Sequence, residues 1–289
     1  MRYVFLVVIF TVSYIHAQDK VKTLGDLPTE VSETSGLIFY NGRIITHNDS
    51  GNQPKLFEID TTNQKITRTV TLTNVVNTDW EAITQDDDYI YIGDFGNNLG
   101  SRKDLKVYRI AKTNYKASDR VAAETINFSY PEQVDFTNRN NNDWDAEAFF
   151  VLNDELVVLT KQRKTRKTVA YSFSKNPGTY KAKMSGTYDI AGLVTDATYN
   201  TATGKLYILG YNQLLLPFVV QVSGVTNKNI FAGSATKHAF DIGFTQAEGL
   251  THVSDNRYFF SCEFFSNSNP AITSKARLFS FNTMDAFLR

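Results

Sequence analysis

The chain has a single cysteine, Cys262, among its 289 residues, so no internal disulfide can form and stability must come from packing. Net charge is absent as well. Thirty basic residues balance thirty acidic ones, which excludes the electrostatic footprint of a general nucleic-acid or anionic-membrane binder and leaves only local roles for charge. Beyond Ile15 no apolar run is long enough to span a bilayer. Long Ala/Leu/Glu/Lys stretches at helical spacing are missing, whereas Phe (21) and Tyr (15) are plentiful, a bias toward strands. None of the four histidines has a recurring partner serine, so nucleophilic catalysis is poorly supported, and Cys262 reads as a small buried apolar residue. The 42% hydrophobic fraction excludes an intrinsically disordered chain and implies a packed core.

Residues 1–17 open with Met1-Arg2, run through the apolar stretch Tyr3 to Ile15 and reach Ala17-Gln18. That is the pattern of a secretory signal cleaved after Ala17; the alternative is a buried N-terminal strand, against which the abruptly polar Asp19, Lys20 and Lys22 argue. No cysteine follows the cleavage point to carry a lipoprotein anchor. The expectation is a single soluble domain over 18–289, monomeric, without a membrane span, and secreted or periplasmic in a bacterium, since it is exported without disulfides.

Self-comparison decides the fold class. A small or acidic residue, then mostly apolar residues, a polar turn and a second apolar run recur five times, starting at Ser35-Gly36-Leu37, Glu81-Ala82-Ile83, Glu147-Ala148-Phe149, Asp196-Ala197-Thr198 and Glu248-Gly249-Leu250. Turns such as Asn41-Gly42 and Asn153-Asp154 join the two runs, and a third strand-like run follows in every unit. Units of about fifty residues built this way are blades. The prediction is an all-β, five-bladed β-propeller, closed by Val21 to Leu27 as the outer strand that the fifth unit lacks. Six blades are the alternative, if a degenerate one lies between Glu81 and Glu147.

In a propeller the innermost strands begin at one mouth of the central channel. Ser35, Glu81, Glu147, Asp196 and Glu248 are therefore expected to form a ring there. Like charges a few ångströms apart repel by roughly 1 to 4 kcal/mol per pair, so either some are protonated or a cation sits among them. Oxygen-only ligands suit Ca²⁺; carboxylates held by backbone amides and water are the simpler possibility. Two residues earlier, Glu33, Asp79, Asp145 and Gln246 point the same way under strand alternation. Asp49, Asp94, Lys161, Tyr211 and Glu263 end the second strands on the same face. The basic residues Arg102, Lys103, Lys161 and Arg163 are expected to overhang the mouth, as solvated loops or as a clamp for a small or extended anionic ligand.

Ser35-Gly36-Leu37 through Asn41-Gly42 to Asn48-Asp49-Ser50-Gly51, and Glu81 followed by Tyr91-Ile92-Gly93 and Gly96, resemble the first two blade motifs of the soluble calcium-activated nucleotidases, the apyrases. The same blade opening is similar to that of the periplasmic SdiA-regulated propeller family. The nucleotidase resemblance implies five blades and a central calcium on Ser35, Glu81, Glu147 and Glu248. The acidic and arginine-rich segment that carries phosphate chemistry in that family has no counterpart in Asp19 to Glu30. Two functions follow: a calcium-stabilised propeller that binds a ligand at its acidic mouth without catalysis, or a Ca²⁺-dependent hydrolase of a phosphorylated or lactone-like substrate, with Asp49, Asp94 or Glu263 activating water. A glycosidase would need two carboxylates at inequivalent positions.

Overall fold

The computed structural model describes residues 21–268 and 271–287; the segment read as a signal peptide, 1–17, lies outside them. Five sheets stand in a ring, a five-bladed β-propeller. The first blade runs outward through Thr34–Tyr40, Arg43–Asn48, Lys55–Asp60 and Ile66–Leu72. The second uses Trp80–Gln85, Tyr89–Asp94, Lys106–Ala111 and Glu124–Ser129. Ala146–Leu152, Glu155–Thr160, Thr168–Ser174 and Lys183–Tyr188 make the third, and Leu193–Asn200, Lys205–Tyr211, Pro217–Val222 and Ala235–Ala239 the fourth. The fifth has only three consecutive strands of its own, Ala247–His252, Arg257–Cys262 and Arg277–Asn282.

Its outer strand is Val21–Asp26, which pairs antiparallel with Arg277–Asn282 in the register Val21↔Phe281. This is the closure expected from the sequence, and it removes the open edges that an unclosed array would leave. No sixth blade occupies the long stretch between Glu81 and Glu147. It contains the rest of the second blade, the short helix Lys112–Ala117, the two-residue strand Arg120–Val121 and a loop over 130–145. A feature the sequence reading missed is the hairpin Phe265–Ser268/Ala271–Ser274, inserted between the second and third strands of the fifth blade. Among the described residues no helix is long and apolar enough to cross a membrane.

Each blade is apolar on both faces, so it is buried only when a neighbour covers each side. The buried side chains accordingly fall into five clusters, one at every junction between adjacent blades. Phe95 meets Phe149 edge-on at 5.3 Å between the second and third blades, and Tyr207 meets Tyr258 at 4.4 Å between the fourth and fifth. Trp80 is fully buried against His47, 5.5 Å away across the junction of the first two blades, the packing role that tryptophans beside an acidic ring usually have.

Every innermost strand carries a β-bulge near its start, where one residue is skipped by the pairing register. The skipped residues are Gly36, Glu81, Glu147, Thr195 and Glu248. A bulge re-aims the side chain it carries. Gly36 has φ +75°, and a Cβ there would lie 2.7 Å from the backbone nitrogen of Ile83 in the next blade, so only glycine fits this approach.

Phe281 joins the closing strand to the fifth blade, 3% exposed and stacked on Tyr258 at 5.2 Å. Phe281→Ala should cost about 3–5 kcal/mol and lower the melting temperature by about 10 °C. A thermal melt that does not move would mean that closure contributes little to stability.

Candidate functional site

The bulges bring Glu81, Glu147 and Glu248 to one mouth of the channel. They line a cleft of about 210 Å³ together with Ser35, Asp49, Asn98, Lys161, Arg163, Tyr211, Gln246 and Glu263. Two triads of carboxylates converge within it. Oxygens of Asp49, Asp79 and Glu81 lie within 4.8 Å of one another, as do those of Glu81, Asp145 and Glu147, with Glu81 common to both.

The two triads differ in how they are neutralised. Around Glu147 the cations are built in. Lys161, 4% exposed, places its ammonium on Glu147 Oε2 and 5.5 Å above the Tyr211 ring. Arg163 donates to Asp145 Oδ2 at 2.9 Å and to Glu147 Oε1 at 3.3 Å. Burial alone would lower the Lys161 ammonium, but Glu147, Tyr211 and Glu248 outweigh it and hold it well above its usual value. Among the described residues no cation forms an ion pair with the triad between the first two blades, although Arg102 acts on Asp79 and Lys161 on Asp49 from further away. Among the described residues nothing donates a hydrogen bond to the Glu81 carboxylate, and Gly96 lies so close that a methyl group there would collide with Glu81 and Asp79.

Burial, and then mutual repulsion, shifts acids in both triads upward. Burial first, then Glu147, Asp49, Asp145 and Asp79, push Glu81 well above the ordinary carboxylate range. Burial and then Asp49 raise Asp79 to about 7, and the same pair of causes raises Glu263 to about 7. Glu147 reaches about 8, raised chiefly by burial although Lys161 opposes it. Burial also raises Asp49 and, well above its usual range, Glu248.

Several residues singled out from the sequence lie elsewhere. Asp196 is one residue out of step, because the bulge of the fourth blade falls on Thr195. The Asp196 carboxylate instead accepts from the backbone N–H groups of Ala197 at 2.8 Å and Leu250 at 2.6 Å, tying the fourth blade to the fifth. Ser35 is likewise out of step, since the bulge of the first blade falls on Gly36; its hydroxyl and that of Thr195 donate to backbone carbonyls of the following blade, Glu81 at 2.6 Å and Ala247 at 2.7 Å. Asp94 does not face the mouth. It is fully buried, held by Arg102 at 2.9 Å and by the Tyr108 hydroxyl at 3.2 Å. Nor do the basic residues overhang the mouth as free cations. Arg102 is committed to Asp94 and Asp104, Lys161 and Arg163 to the inner acids, and Lys103 sits over the Phe136 ring at 4.8 Å. Asn98, which contacts Arg163, was missed; its only sequence signal is its place in the Gly96-Asn97-Asn98 turn after the second strand.

No protein-family model matches the chain, and no curated protein sequence matches it significantly. The resemblance to the two families named above therefore rests on the blade motifs alone, and neither is shown to be this chain's family. Among solved structures the chain is similar to the Neurospora crassa Pan2 WD40 domain (12% identity, TM-score 0.43, 93% of this chain and 71% of that one). It is also similar to the β-propeller domain of Myceliophteria thermophila Cps50 (Swd1) (8%, 0.41, 88% and 73%) and to Kuenenia stuttgartiensis hydrazine synthase (11%, 0.40). It covers 88% of itself but 59% of the hydrazine synthase chain. At such scores the fold rests on the strand pairing described above.

The raised acids set a pH dependence. A carboxyl whose folded pKa exceeds its unfolded value binds its proton more tightly in the native state, so stability falls as pH rises from the unfolded toward the folded value. With Asp79 and Glu263 at about 7 and Glu147 at about 8, chelator-treated protein should lose melting temperature between about pH 4.5 and pH 8. Lys161→Met should steepen that loss by removing the buried counter-charge. A flat or rising melting temperature across this window would show that the acids titrate normally.

Proposed function

We propose that this protein is an exported binding propeller whose acidic mouth holds a divalent cation, calcium by ligand chemistry. The observation that carries the reading is the triad Asp49, Asp79 and Glu81: three carboxylates converge with no ion-paired cation among the described residues, while the neighbouring triad is paired with Lys161 and Arg163. All the donors are hard oxygens, and the described residues offer no sulfur or imidazole at this mouth, which favours calcium over a transition metal. The ligand set thus shifts off the axis relative to the ring of Ser35, Glu81, Glu147, Asp196 and Glu248. Glu81 is retained and Asp49 and Asp79 join it.

The same face is suited to meeting a partner. Its loops carry Val76, Leu99, Val134, Leu214, Leu216 and Phe264, six of the eight most exposed large apolar side chains among the described residues. An anionic group on the ligand would be attracted by the bound cation, since the nearby basic side chains are committed to internal ion pairs. A calcium-dependent hydrolase is the second reading. It is favoured by Glu263, which lines the mouth with a pKa of about 7 and so suits a general base near neutral pH; Asp94 is too enclosed to serve.

Calcium at a hundredfold excess over Kd should stabilise the protein by about 2.7 kcal/mol, a rise in melting temperature of roughly 5–10 °C. Glu81→Gln should abolish the rise. An unchanged melt of stripped wild-type protein on adding millimolar calcium would overturn the reading, and metal-dependent turnover of a phosphate or ester substrate, lost in Glu263→Gln, would favour the hydrolase.

A further inference from the structure

The opposite mouth of the channel holds a larger cavity, about 530 Å³, formed where the innermost strands of all five blades end. Its size falls within the range of small-molecule sites, about 300–1,000 Å³. Its chemistry is unlike that of the acidic mouth. Three positions after the bulged residue, three blades place a threonine in the wall: Thr84, Thr198 and Thr251. The fifth blade adds His252. Apolar side chains share the wall, Leu37, Ile38 and Phe39 from the first blade, Ile83 from the second, Val151 from the third and Leu250 from the fifth, so polar and apolar groups are mixed around it.

Several neutral polar groups in this wall are left for a ligand, among them Gln85 Oε1, which is buried without a partner among the described residues. The Thr84 hydroxyl has no protein partner among the described residues. His252 Nδ1 lies 2.8 Å from Thr198 Oγ1, and its other ring nitrogen is likewise without a protein partner among them. Burial lowers the His252 pKa, so the ring is neutral at physiological pH. Its free nitrogen is then a donor or an acceptor according to the tautomer. A hydroxyl group complements both tautomers, and it complements the threonine as well.

The two basic side chains at the rim, Lys112 and Lys175, are internally engaged. Lys175 pairs with Asp86 at 3.2 Å and Lys112 donates to the Asp86 carbonyl at 2.5 Å. The Asp86 carboxylate also accepts from the Tyr91 hydroxyl at 2.8 Å. An anion would find no free cation here, and a metal ion would find no group of converging carboxylates. A purely apolar ligand would cover the polar groups of Thr84 and His252 without a partner, at a cost in affinity. From these unpaired neutral polar groups, set beside apolar side chains and away from free charge, we infer that the second mouth is a binding site for a neutral polyhydroxylated ring, a monosaccharide or the end of a glycan, with hydroxyls toward Thr84 and His252 and its C–H face toward Phe39 and Val151.

The test is saturation-transfer NMR of the full protein with glucose, galactose, mannose, fucose and N-acetylglucosamine, with inorganic phosphate as the charged comparison. At least one sugar should bind. Thr84→Val and His252→Phe, each with an unchanged melting temperature, should weaken it about tenfold, the loss of one neutral hydrogen bond. Binding should survive chelator and Glu81→Gln, which separates this site from the acidic mouth. If one of these variants melts early, the other carries the comparison. The inference fails if no sugar binds at 10 mM (about 10⁻² M, weaker than any useful site), if both variants bind as wild type does, if Glu81→Gln abolishes binding, or if phosphate binds in place of the sugars.

Discussion

Ring closure forces the first residues of five strands toward one axis, and at that mouth it gathers carboxylates that would repel one another by roughly 1 kcal/mol per pair even in water. No blade can relieve the crowding by moving outward, because each is clamped by an apolar cluster on either side. The repulsion has to be answered locally. The molecule uses three means: hydroxyls in place of acids at Ser35 and Thr195, a buried lysine and an arginine beside Glu147, and raised proton affinity at Glu81, Asp79 and Glu263.

These means are unevenly distributed, and the unevenness locates the site. The third-blade side is closed by Lys161 and Arg163, whereas the side between the first two blades keeps three carboxylates together with no ion-paired cation among the described residues. Gly96 fits this picture, because a larger residue would fill the space beside Glu81 and Asp79. The opposite mouth, built from the far ends of the same strands, is neutral. One set of five strands thus presents two chemically different openings.

The fold was legible because the blade is a repeated physical unit. Turn residues such as Asn41-Gly42 and the apolar runs recur wherever two faces must be buried, and the shortage of strands in the fifth unit pointed to Val21 to Leu27 as the closing strand, which the structure forms over Val21–Asp26. The acidic mouth was only partly legible: Glu81, Glu147 and Glu248 line it as expected, whereas Asp94, Arg102 and Lys103 do not. Sequence spacing aligned Asp196 with the glutamates, but a bulge is not visible in a periodic pattern, and it falls on Thr195. Asp196 is one step further along and caps backbone amides instead. The basic loop was similarly ambiguous. Nothing in Lys161-Gln162-Arg163 says whether the cations face solvent or turn inward, and that depends on the depth of the Glu147 carboxylate they meet.

The central claim is that protons now held by the buried acids are exchanged for a metal ion. Calorimetric titration of calcium into chelator-stripped protein at pH 7, repeated in buffers of different ionisation enthalpy, measures that exchange directly. The account predicts saturable binding with release of about one proton per ion, since Asp79, at about 7, and Glu81, held well above the ordinary carboxylate range, must give theirs up. Binding without proton release, or no binding, would contradict it.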